Sequence, residues 1–231
     1  MKVTEIFVSL SGEGVHAGIP TVFVRLTGCN LRCVYCDTKY AFEGGEGLTP
    51  AQIVDRVRRF NSKCKWAMIT GSEPLLSNEH DLFELVRQLK GLEYSIEIET
   101  NGSIDPPPAG SFGWFSLVDS WNVDVKCPSS GPAYGSFRRR WLTKLRKRDQ
   151  LKFVVGTEED LNFVRGFLNG NRCRATKLIS PMLPNSPNSQ FGDVLMSQRP
   201  WLQTVWEFCV KNNVRWSFQQ HKLVFGNKKG V

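Results

Sequence analysis

Short apolar runs at residues 5–10, 21–26, 66–70, 95–100, 121–126, 150–155 and 177–180 read as β-strands. Longer mixed stretches near 50–60, 78–90 and 200–211 read as helices, and residues 215–218 follow the last of them. Two helix starts carry explicit signals. Thr49 is followed by Pro50 and, three residues on, by Gln52; Thr157 is followed by Asp160 at the same spacing. Strand and helix alternate along most of the chain, which predicts parallel βαβ units. About six units can be counted, and 231 residues are short for a closed eight-unit barrel. The expected fold class is therefore α/β, an open or partial (β/α)6 barrel. Polar and glycine clusters repeatedly follow the strand ends, where parallel sheets place ligands.

One of these clusters holds Cys29, Cys33 and Cys36, a triplet spaced by four and three in the loop after residues 21–26. A structural zinc site normally closes with four ligands, and a filled iron–sulfur cube normally takes four cysteines. Three thiolates leave one iron open to something that is not protein. Buried free thiols, a disulfide with one thiol left over, and zinc with a distant fourth ligand are the alternatives. Gly28, Asn30 and Arg32 make the loop poor core material, and this spacing favours metal binding over disulfides.

Composition changes the picture modestly. Seven cysteines and residues 1–10, which have no long apolar stretch, suggest a reducing, cytoplasmic setting. No apolar run is long enough to span a membrane. The net charge is +8, much of it in residues 138–148. That run reads as a nucleic-acid patch or as a solvated helix face, with Trp141, Leu142 and Leu145 on one side; the second reading is preferred. Arg25, inside an apolar strand, either pairs with an anion or faces solvent.

Cys-x3-Cys-x2-Cys resembles the signature of the radical S-adenosylmethionine superfamily. The resemblance implies a 4Fe-4S cluster on Cys29, Cys33 and Cys36, its open iron chelated by S-adenosylmethionine. One-electron cleavage of that cofactor then yields a hydrogen-abstracting 5′-deoxyadenosyl radical.

Further blocks sharpen the likeness: Glu5-Ile6-Phe7-x-Ser9-x-x-Gly12-Glu13-Gly14, Phe23-Val24-Arg25-Leu26-x-Gly28-Cys29, Cys36-Asp37-Thr38 and Gln220-His221-Lys222. Together they resemble the 7-carboxy-7-deazaguanine synthase family across nearly the whole chain, as a single domain, 1–231. That family contracts the ring of 6-carboxy-5,6,7,8-tetrahydropterin with loss of ammonia. It requires magnesium and supplies 7-deazapurines such as queuosine. A homodimer and an electron donor of flavodoxin or ferredoxin type are implied, with no membrane or nucleic-acid partner.

By position, the resemblance implies that Thr38 ligates magnesium. Tyr35, Asp37, Ser72, Glu73, Asp124, Lys126, Ser129 and Ser180 would meet S-adenosylmethionine. Leu10, Ser11, Gly12, Glu13, Arg25, Thr70 and His221 would meet the pterin. Two positions depart from the family pattern, with Ser11 in place of glutamine and Ser72 in place of glycine. The residues after Lys222 run on, so the substrate contact that a terminal carboxylate makes in some family members is not assigned here. A glycyl-radical activating enzyme and a non-catalytic iron–sulfur or zinc module are the competing readings. Glu5 to Gly14 with Thr38 disfavours the first; Arg25 and Thr70 to Pro74 disfavour the second.

Overall fold

The computed structural model describes residues 1–60, 63–107, 113–183, 196–226 and 228–230. Strand β1 (Lys2–Leu10) starts three residues earlier than the apolar pattern suggests, and pairs antiparallel with β2 (Pro20–Leu26). Their register sets Phe7 against Phe23, with the rings stacked 4.9 Å apart, and Glu5 against Arg25. A two-residue strand, β3 (Glu46–Gly47), pairs with the outer side of β1.

From β2 onward every neighbouring pair is parallel: β4 (Trp66–Gly71), β5 (Ser95–Thr100), β6 (Ser120–Asp124), β7 (Gln150–Val155), β8 (Thr176–Pro181) and β9 (Arg215–Trp216). Among the described residues these form one nine-stranded sheet, in the order β3-β1-β2-β4-β5-β6-β7-β8-β9. The two end strands do not meet, which gives the open, partial barrel expected from the unit count.

Helices α1 (Pro50–Arg59) and α2 (Glu79–Gly91) cross from β2 to β4 and from β4 to β5. A short α3 (Arg140–Lys144) precedes β7, α4 (Glu158–Gly170) links β7 to β8, and α5 (Arg199–Asn212) leads to β9. A last helix, α6 (Gln220–Phe225), follows β9. The two start signals form as written. Thr49 accepts from Gln52 N while Gln52 accepts from Thr49 N, and Thr157 and Asp160 repeat the exchange. Each such cap is worth roughly 1 kcal/mol.

Strand periodicity divides the sheet into two faces. Val22, Val24, Ala67, Ile69, Ile96, Ile98, Leu151 and Phe153 are buried in the hydrophobic core with Ile53, Val57, Leu85 and Val164 of the helices. The crossover from β5 to β6 has no α-helix among its described residues. There Trp114, Phe115, Trp121 and Trp141 cover the sheet, with Trp121 5.3 Å from Trp141 and 5.1 Å from Phe115.

The basic run needs correction at this point. Only residues 140–144 are α-helical. Trp141 and Leu145 enter the core, and Arg146 is bound to Asp149 and to Val118 O rather than solvated. The opposite face of the sheet carries Arg25, Thr70, Glu99, Asp124 and Lys152, and it lines a cavity at the C-terminal end of the parallel strands.

Candidate active site

The cysteine loop is anchored at both ends by the turn after β4. Ser72 N donates to Leu26 O at 3.2 Å, Glu73 N to Gly28 O at 2.9 Å, and Gly28 N to Ala41 O at 2.9 Å. Ser72 Oγ donates to Ala41 O at 2.7 Å, so this departure from the family pattern ties down the loop as well as lining the cavity. Gly71 makes the close approach possible. Its φ is +141°, and a Cβ there would sit 2.3 Å from Leu26 O.

Cys29, Cys33 and Cys36 all line the cavity as free thiols, which removes the disulfide alternative for the triplet. Cys29 Sγ accepts from Leu31 N at 3.3 Å and lies 3.6 Å from Asn101 Nδ2. Burial pushes the Cys33 and Cys36 thiols up, while the Lys126 ammonium pulls both down. Among the described residues no three His, Cys, Asp or Glu side chains converge on a single small ion. A cube distributes its thiolates over separate irons, and three thiols around one cavity fit that arrangement.

Beside the loop lies a buried charge centre that sequence reasoning missed. Lys152, 4% exposed, reaches Glu99 Oε1 at 2.5 Å, Glu13 Oε2 at 3.3 Å and Asp124 Oδ1 at 3.5 Å. Asp124 Oδ2 also holds Lys126 at 2.5 Å, and Thr70 donates to Glu99 Oε2 at 3.0 Å. Burial opposes the charge on Lys152, but the surrounding carboxylates overcome it and hold the ammonium protonated. Burial raises Glu99, whereas the two ammonium groups overcome burial at Asp124 and lower it. The only signal for this centre in the sequence was a charged residue inside an apolar strand. That signal singled out Arg25 and applied equally to Lys152 and Glu99.

The expected cofactor residues divide into two groups. Tyr35, Asp37, Ser72, Asp124 and Lys126 line the cavity, while Glu73, Ser129 and Ser180 do not. Glu73 stands apart from the lining residues. Its carboxylate is buried and accepts from Thr100 Oγ1, Asn101 N and Leu75 N, and burial pushes it up to about 7. Tyr35 Oη, Ser129 Oγ and Ser180 Oγ are buried with no hydrogen-bond partner among the described residues. Buried hydroxyls normally have one, so Tyr35, the one of the three that lines the cavity, offers a free hydroxyl to a polar cofactor.

Toward the other end, Leu10, Ser11, Gly12, Glu13, Arg25, Thr70, Thr38 and His221 line the same cavity. Arg25 does have an anionic partner, but it is internal. Its Nε donates to Glu5 Oε1 at 2.7 Å, which also accepts from Tyr40 Oη at 2.7 Å. Ser11 Oγ donates to Glu13 O. Gly12 leaves room for the His221 ring, since a Cβ would come within 2.2 Å of its Nδ1. Burial lowers His221 from its ordinary value, so the ring is neutral near pH 7.

Asp37 pairs with Lys222 at 3.0 Å and accepts from Thr38 Oγ1 at 2.8 Å, and these partners hold it below the usual carboxylate range. The segment after α6 does not run past the site. Gly226, Lys228, Lys229 and Gly230 line the cavity, and Lys229 Nζ stands 4.2 Å over the Tyr40 ring.

A cysteine triplet at the ligand-bearing end of a partial parallel barrel defines the radical S-adenosylmethionine class, and residues 23–109 match the Radical SAM superfamily. The chain resembles curated proteins named 7-carboxy-7-deazaguanine synthase. That of Thermoplasma acidophilum is 38% identical over 100% of both chains. That of Methanospirillum hungatei is 39% identical over 79% of this chain and 73% of its own. The crystal structure of QueE from Escherichia coli has the same fold, with a TM-score of 0.71 at 21% identity, covering 95% of this chain and 94% of that one. The chain belongs to the 7-carboxy-7-deazaguanine synthase family. Among the described residues, no helix is long and apolar enough to cross a membrane.

Proposed function

We propose that this chain, acting as one domain, converts 6-carboxy-5,6,7,8-tetrahydropterin to 7-carboxy-7-deazaguanine in 7-deazapurine and queuosine-type biosynthesis. The observation that carries this reading is the shared cavity. Three free thiols, an arginine and a carboxylate–lysine centre open onto it, in a chain that aligns end to end with family members.

Cys29, Cys33 and Cys36 would hold a 4Fe-4S cluster. Tyr35, Ser129 and Ser180 would supply hydroxyls to S-adenosylmethionine, with Asp124 and Lys126 at its polar end. When bound, these groups supply one-electron cleavage and a primary radical that abstracts hydrogen.

The chain's own residues bind and orient the pterin. Arg25 meets its carboxylate while Glu5 fixes the guanidinium through Nε. Thr38 offers a hard oxygen to magnesium beside that carboxylate. Glu13 accepts from the aminopyrimidine edge, with Lys152 Nζ 3.3 Å from its carboxylate. Neutral His221 hydrogen-bonds the ring, and the segment after α6 limits access of water. Homodimer formation, a flavodoxin- or ferredoxin-type electron donor and a cytoplasmic setting belong to the same reading.

The test is anaerobic reconstitution with iron and sulfide, followed by reductant, S-adenosylmethionine, magnesium and 6-carboxytetrahydropterin. 7-Carboxy-7-deazaguanine detected by mass supports the reading. Release of 5′-deoxyadenosine without that product keeps the chemistry and rejects the substrate. Failure to assemble a cluster rejects both.

A further inference from the structure

Below the charge centre lies a second polar layer. Glu97 and Gln150 stand two residues before Glu99 and Lys152 on β5 and β7, so strand alternation puts them on the same face, one step nearer the N-terminal strand ends. Between them on β6, Ser120 is in register with Glu97 and Asn122 with Gln150. All four are buried.

This layer grips the loop between β1 and β2. Ser11, Gly12 and Glu13 of that loop line the cavity, and Gly14, Val15 and His16 do not. Gln150 Oε1 accepts from Val15 N at 2.9 Å, while its Nε2 donates to Glu97 Oε1 at 3.0 Å and to Ser120 Oγ at 3.1 Å. Glu97 Oε2 lies 2.6 Å from His16 Nδ1, and the His16 ring packs 4.3 Å from that of Trp66. Gly14 N donates to Ser217 Oγ at 2.9 Å. Gly14 has φ +82°, and a Cβ there would stand 2.6 Å from Gln150 Oε1, so glycine lets the loop close onto the amide.

A buried amide between an N–H donor and a carboxylate satisfies both in one orientation only. We infer that Gln150, backed by Glu97 and His16, is a positioning residue. It sets the depth of the loop, and so where Ser11, Gly12 and Glu13 stand at the substrate end of the cavity. Lys152 reaches Glu13 through its carboxylate, whereas Gln150 holds the backbone two residues further on. That this segment meets the pterin rests on the proposed function; the clamp itself does not.

The test uses the chemistry of the amide. Q150M removes both of its contacts. Q150E keeps an acceptor for Val15 N but sets a second buried carboxylate against Glu97. Q150E/E97Q exchanges the two groups, with the same total charge and every hydrogen bond still possible. Reconstituted holoenzymes are compared by equilibrium binding of 6-carboxytetrahydropterin and of S-adenosylmethionine, by KM and kcat, and by amide hydrogen exchange of residues 11–19 and 27–38. Q150M and Q150E are expected to weaken pterin binding and raise its KM by ~10-fold or more, the value of a hydrogen bond to a charged group. Both speed exchange in residues 11–19 and leave S-adenosylmethionine affinity, the cluster spectrum and exchange in residues 27–38 unchanged. Q150E/E97Q returns pterin affinity to within about threefold of wild type. Leu161→Ala, a core truncation in α4, lowers the denaturant midpoint without moving pterin affinity, which separates positioning from loss of stability.

Parallel losses of pterin and S-adenosylmethionine binding, unchanged exchange in residues 11–19, or no recovery in Q150E/E97Q overturns the inference. Should Q150M and Q150E not fold, H16L carries the comparison, and wild-type exchange in residues 11–19 of that variant overturns it. A wild-type enzyme that neither binds nor converts the pterin rejects the proposed reaction. The clamp is then decided by exchange alone: it stands if Q150M speeds exchange in residues 11–19 and falls if it does not.

Discussion

Lys152 Nζ lies 3.3 Å from Glu13 Oε2, joining β7 to the loop after β1 across 139 residues of sequence. The same ammonium meets Glu99 and Asp124, so one cation holds three carboxylates at the centre of the cavity. Removing it leaves buried negative charge without a partner. Lys152→Met is expected to cost about 3–5 kcal/mol of stability, read as a lower denaturant midpoint, and to abolish turnover. A variant of wild-type stability would show that these carboxylates are solvated or protonated in the folded protein.

Arg25 is divided between structure and chemistry. Glu5 takes its Nε, which leaves the rest of the guanidinium fork for a substrate carboxylate. Arg25→Ala is expected to lower kcat/KM for the pterin roughly 10- to 100-fold, the value of a charge-assisted hydrogen bond, with S-adenosylmethionine affinity intact. If equilibrium binding of S-adenosylmethionine falls in parallel, Arg25 acts only by holding β1 and β2 together.

Thr38 tests the magnesium assignment. Its hydroxyl now donates to Asp37 Oδ1 at 2.8 Å. Thr38→Ala should leave the iron content and cluster spectrum unchanged and raise the magnesium concentration needed for half-maximal rate. An unaltered magnesium titration removes Thr38 from the site.

Glu73 makes a pH prediction. Its carboxyl is pushed up to about 7 by burial, from an ordinary value of 4.5. Between those values the folded state binds more protons than the unfolded one. Stability from this group is complete below about pH 4.5 and is lost as the pH rises through 7. Glu73→Gln has no such titration. It sacrifices an acceptor for Asn101 N or Leu75 N, and it is expected to be less stable than wild type at pH 5 by about 1–3 kcal/mol, with the deficit shrinking toward pH 8. A constant difference across that range would show that Glu73 stays ionised throughout.

Gly71 has φ +141°, and its Cα faces the backbone of Leu26. Gly71→Ala should destabilise the fold by about 1–3 kcal/mol from overpacking alone, and should lower iron incorporation, because the cysteine loop hangs on this contact. Full cluster content in a stable Gly71→Ala protein would separate the loop from β4.

The local features were legible in the chain because their causes are local. The cysteine spacing, the two capping boxes and the alternation of strand and helix depend on residues within a few positions of one another, and each appears where the pattern placed it. The partial barrel followed from the number of units. The apolar side expected of the basic run is buried at Trp141 and Leu145, but only residues 140–144 are α-helical, and Arg146 is bound to Asp149 instead of lying in solvent.

The charge centre was decided by tertiary structure alone. Parallel register sets Asp124 opposite Lys152, and the alternation of strand side chains turns both of them, with Glu99, to the same face. That register comes from hydrogen bonds between strands far apart in sequence, so a lysine in an apolar run carries no sign of its partners. The same holds for Glu5 beside Arg25, for the hydrogen bonds that Glu73 accepts from Thr100 and Asn101, and for the segment after α6 at the cavity wall. Composition and spacing determine what chemistry the chain can hold, while the folding of distant strands onto one face decides which charges meet.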